Sequence, residues 1–148
     1  MKFLSKTLLV LLLSLTTAAS FSQNLKPRVF SQFPDIIDCP ESEFSNVFTA
    51  REGDIVTFSF SDNLNITGKV ISNLKKYDNL QSMTIEVPSY ENAVFHLSKQ
   101  TNEDLTTSFV GRILANGALD GYELKKDVVG KYSLRKVEEE NIRQLCNQ

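Results

Sequence analysis

From Val56 to Leu134 apolar residues recur at alternate positions, in short runs separated by polar turns. Val56, Phe58 and Phe60 alternate with Thr57 and Ser59, and Ile66, Gly68, Val70 and Leu74 alternate with Thr67, Lys69 and Asn73. A period of two with β-branched and aromatic residues predicts half-buried strands. Met83, Ile85 and Val87 mark a third strand face, ended by Pro88-Ser89, and Ala93, Phe95 and Leu97 a fourth. Phe109, Gly111 and Ile113 mark a fifth, Tyr122 and Leu124 a sixth, Tyr132 and Leu134 a seventh. Turn centres fall about every 13 residues between Asn63 and Val129, and Asn116-Gly117 and Asp120-Gly121 are hairpin signals. Such spacing leaves no room for crossover helices, which excludes a parallel α/β sheet. The expectation is an all-β domain, an antiparallel meander of about seven strands closed as a barrel or stacked as a sandwich.

The flanks change period. Phe44, Val47 and Phe48 stand at i, i+3 and i+4 and predict a short helix near 41–49. Val137, Ile142 and Leu145 have helical spacing behind Glu138 to Glu140, which predicts a C-terminal helix over 137–146. Residues 23–34, with two prolines, read as an extended lead-in. Asp35, Asp38, Glu41 and Glu43 then gather acids. The glycine turn of a calcium loop is missing there, so the stretch reads as a solvated acidic loop. Gly111, inside an apolar strand, reads as a bend at a barrel corner in preference to a ligand contact.

The first 22 residues have the three parts of a secretory signal peptide. Lys2 and Lys6 are basic, Thr7 to Leu15 is nearly continuous apolar sequence, and Ala18, Ala19, Ser20 and Ser22 are small. Cleavage near Ser22 divides the chain into a signal peptide, 1–22, and one β-rich domain, 23–148, exported to the periplasm or beyond the cell. The apolar run is short for a membrane span of about 20 residues, and no stable membrane insertion is expected after cleavage. Of 16 basic and 18 acidic residues, cleavage removes two lysines and leaves a net charge of −4. That balance argues against a nucleic-acid partner. In an oxidising compartment the two cysteines, Cys39 and Cys146, are expected to form a disulfide.

Composition argues against the common catalytic constellations. His96 is the one histidine, and neither G-x-S-x-G nor H-E-x-x-H accompanies it. It reads as an exposed strand residue. One His and two distant Cys make a zinc site hard to assemble, and no cofactor is expected. No catalytic, cofactor-binding or metal-ligating residue is therefore assigned. Lys75-Lys76 and Lys125-Lys126 read as solvated strand ends. Asn65-Ile66-Thr67 matches a glycosylation sequon on a strand. A non-enzymatic binding or interaction module, with an unknown protein or small-molecule ligand, fits best. An enzyme using dispersed carboxylates is a further alternative.

The segments Phe109-Val110-Gly111-Arg112-Ile113-Leu114, Asp120-Gly121-Tyr122-Glu123-Leu124-Lys125 and Gly130-Lys131-Tyr132-Ser133-Leu134-Arg135-Lys136 lie within residues 95–148. This region resembles β-rich N-terminal segments of exported bacterial proteins, some of them prodomains of secreted metalloproteases. The resemblance implies a stand-alone inhibitor or partner of a secreted protease, and it transfers no functional residue.

Overall fold

The computed structural model describes residues 26–61 and 64–138. Seven strands appear where the alternation places them: β2 (Ile55–Ser61), β3 (Leu64–Tyr77), β4 (Leu80–Val87), β5 (Ala93–Thr101), β6 (Thr107–Leu114), β7 (Asp120–Lys126) and β8 (Tyr132–Glu138). An eighth, β1 (Ile36–Cys39), lies in the stretch expected to be an acidic loop. Its period of two covers only four residues: Ile37 and Cys39 face inward while Ile36 and Asp38 face out. The acids there belong to the solvent side of a strand.

All eight strands join one antiparallel sheet in the order β1-β8-β7-β6-β5-β4-β3-β2. The sheet curls into a half-barrel, which decides against a sandwich. From β2 to β8 it is a meander, and β1 reaches back to pair with β8 through Ile36↔Arg135 and Cys39↔Tyr132. The register of β3 against β4 shifts between Val70 and Ser72. Leu74, expected on the buried face, is consequently exposed.

The short helix α1 (Glu41–Ser45) follows Pro40, and a single 3₁₀ turn (Val47–Thr49) continues from it. Glu41 and Glu43 stand in its first turn, where the helix dipole favours acids. Its anchor is Phe44, fully buried, with ring centroids of Phe60 and Phe109 at 5.7 Å and of Tyr132 at 5.8 Å. Phe58, Phe95, Met83, Leu97 and Ile113 complete a side-chain-filled interior. The Glu43 carboxylate accepts the Ser59 N–H on the outer edge of β2 at 2.7 Å.

The lead-in crosses the end of the sheet beside β7 and β8. The Leu119 N–H donates to the Pro27 carbonyl at 2.9 Å, and the Lys136 N–H to the Asp35 carbonyl at 2.8 Å. Tyr122 donates its hydroxyl proton to the Pro34 carbonyl, and Lys136 Nζ reaches the Phe33 carbonyl. Asp120, 2% exposed, accepts the Phe30 N–H at 3.1 Å through Oδ2. Its Oδ1 has no hydrogen-bond partner among the described residues. Asp120-Gly121, read as a turn on sequence, therefore lies inside β7, and the true turn uses Asn116 to Ala118.

Two further expectations need correction. Cys39, expected to pair with Cys146, is a free thiol among the described residues. It is buried on the inward face of β1, donating to the Ile37 carbonyl at 3.3 Å. Burial pushes that thiol up to about 12, which makes it a poor nucleophile at neutral pH. Val137 and Glu138, assigned to a C-terminal helix, instead extend β8, because pairing with Gly121 and Asp120 continues through them. The remainder of that helix, the signal peptide and Cys146 lie outside the described residues. No helix among the described residues is long and apolar enough to cross a membrane.

Candidate functional site

The ladder between β6 and β7 is incomplete. It runs from Leu114↔Gly121 to Gly111↔Leu124 and stops, although both strands continue. Beyond that point Tyr132, at the start of β8, enters from beneath. Its hydroxyl accepts the buried Phe109 N–H at 3.0 Å, replacing the carbonyl a neighbouring strand would offer. The Tyr132 ring lies at 5.8 Å from that of Phe109, and Lys126 Nζ stands 5.0 Å above it. An antiparallel sheet needs a partner for every inward backbone group, and here a side chain supplies it. The strands diverge as a result.

The divergence opens a cleft of about 620 Å³. Phe109, Gly111, Leu124 and Tyr132 form its floor, and the outward residues of β6 and β7 form its walls. Val110 lines one wall and is 63% exposed. Gly111 stays flush with β5: a Cβ there would lie 2.8 Å from the His96 carbonyl oxygen and 3.0 Å from Phe95 Cε2. The β5–β6 register is unbroken through Gly111. A close backbone approach, and not the expected bend, explains this glycine.

Charge lies along the outer face. Thr84, His96, Arg112, Glu123 and Arg135 are successive register partners from β4 to β8. Glu123 is half-buried and doubly held, by Arg112 at 3.1 Å and by Lys125 at 2.8 Å. Burial pushes the Glu123 carboxyl up, but the hydrogen bonds and charges of Lys125 and Arg112 outweigh it. The carboxyl ends below its usual range. Around the cleft, Arg112, Lys125 and Lys126 stand against one carboxylate. The site is therefore cationic on a chain whose net charge is −2.

A second concavity, about 760 Å³, lies at the seam between β1 and the β2–β3 hairpin, lined by Phe33, Ile36, Phe60 and Leu64 among others. Its charged lining residue, Asp38, is engaged by Lys131 at 2.7 Å. The β6–β7 cleft gathers three cations around its apolar floor, which makes it the better candidate.

His96 sits at the cleft rim with its Nδ1 3.4 Å from the Thr84 hydroxyl. The partner across from it is Arg112, not the carboxylate that orients a catalytic imidazole. Among the described residues no cluster of His, Cys, Asp and Glu could hold a metal ion. Lys125 and Lys126, read on sequence as a solvated strand end, are exposed at the end of β7 and also line the cleft. Arg112 and Glu123 escape a motif search, yet a hairpin centred on Gly117-Ala118 places them opposite each other. No family model, curated protein or solved structure matches the chain.

Proposed function

We propose that the chain is an exported, non-enzymatic binding module whose ligand site is the cleft between β6 and β7. The observation that carries this reading is the interrupted β6–β7 ladder, where an apolar floor meets fixed cations. A volume of about 620 Å³ suits a small molecule. The residues gathered there hold and orient, and Arg112 and Lys125 already hold Glu123. The signal-peptide pattern of residues 1–22 supports a periplasmic or extracellular location. A fragment screen by amide NMR on the mature chain tests the reading. Saturable shifts at Val110, Arg112 and Lys125 are expected, and saturation confined to the β1–β2 seam would refute the assignment.

One observation favours a second reading, a prodomain-like inhibitor or partner of a secreted protease. The β7–β8 turn presents Val128 and Val129 almost fully to solvent. Asp127 Oδ1 braces that turn by accepting the Val129 N–H at 3.0 Å and the Lys131 N–H at 2.8 Å. A preformed apolar tip loses little entropy on entering a partner's pocket. Slowed cleavage by a secreted protease, relieved by Val128→Asp, would support it.

A further inference from the structure

We infer that the cleft takes a small amphipathic anion, with its acid group on Lys125 and Lys126 and its apolar body over Val110 and Leu124. This inference rests on the reading of the cleft as the ligand site, and adds the class of ligand. The two halves of the cleft differ in kind. The floor is apolar, with Phe109, Leu124 and Tyr132 buried beside the exposed Val110. The β7 side carries consecutive lysines at the end of the strand, where β6 no longer pairs.

The charges there are already arranged for an anion. Glu123 sits between Arg112 and Lys125 and shows that both cations point toward a shared carboxylate position. One carboxylate cannot neutralise three cations, and Lys126 contacts the Tyr132 ring face. An incoming acid group meets surplus positive charge without displacing Glu123. A neutral ligand would leave that surplus unused, and a cation would face it.

The test uses dodecanoate and dodecanol as matched probes of the mature chain, both below the concentration at which they self-associate. Amide NMR reports the site, and fluorescence or calorimetry the affinity. Dodecanoate is expected to shift Val110, Lys125 and Lys126, to bind about tenfold tighter than dodecanol, and to weaken as salt rises. Lys125→Gln with Lys126→Gln should abolish the preference for the acid while retaining dodecanol binding. Glu123→Gln should tighten dodecanoate severalfold by removing a neighbouring negative charge. Equal binding of both probes at the cleft would overturn the anion and leave the binding site standing. Shifts from neither probe at the cleft would overturn both. Co-sedimentation with phosphatidylglycerol vesicles in place of dodecanoate binding would assign the lysines to a lipid surface and end the free-ligand reading.

Discussion

Glu123 is pulled two ways, up by burial and down by Lys125 and Arg112, and the second influence wins. A carboxyl whose folded value is depressed stabilises the fold above its unfolded value. That contribution disappears as pH falls through the folded one. Wild type should therefore exceed Glu123→Gln by about 1 kcal/mol near neutral pH, with the gap closing as pH falls through the acid range. Thermal melts of both proteins across that range measure it. Gly111 answers to geometry alone. Gly111→Ala places a methyl 2.8 Å from the His96 carbonyl oxygen, and denaturant melts should show a loss of about 2 kcal/mol. Sequence makes Gly111 visible as an anomaly but not its cause, because the clashing atoms belong to β5, and only the β5–β6 hairpin register brings them opposite it. Glu123 and Arg112 are legible only through their hairpin register, since single charged residues on alternating strands are common.

At the scale of elements, β6 and β7 are held together in one half and by Tyr132 in the other. Tyr132→Phe removes the acceptor for a buried N–H while keeping the ring. The expected cost is about 2 kcal/mol, with faster hydrogen exchange concentrated at Phe109. Seven strands are legible because each carries an inward face of two or more apolar residues between turn signals. β1 is not, since it spans only four residues and its outward Asp38 belongs to a visible acidic cluster that reads as a loop. Asp120-Gly121 misleads for a related reason. The pair has turn chemistry, but the carboxylate is recruited by the Phe30 N–H from across the molecule. Local preference gives way to a distant contact.

For the whole molecule, the lead-in and the sheet end form one unit, pinned by a buried carboxylate. Asp120→Ala should leave the Phe30 N–H without its partner and cost about 2 kcal/mol. Exchange should rise first at Phe30 while the β4–β5 core stays protected. The meander was legible from turn spacing, but the cleft was not, because it arises where a ladder stops and not from any motif. Curling without closure has a further consequence, for self-assembly. Seven antiparallel pairings in succession make β1 and β2 run in opposite directions. The β1 edge of one molecule could thus pair antiparallel with the β2 edge of another, and the step repeats without end. Three features oppose such growth: β1 offers only four residues, the β1 and β2 edges already face each other across the seam of one molecule, and the Glu43 carboxylate occupies the Ser59 N–H on the β2 edge. Glu43→Ala should leave the monomer fold intact yet shorten the lag before light scattering rises on prolonged incubation. A second substitution of Thr57 by Pro on that same edge should restore the lag, since a strand lacking that donor is a poor template for the next copy.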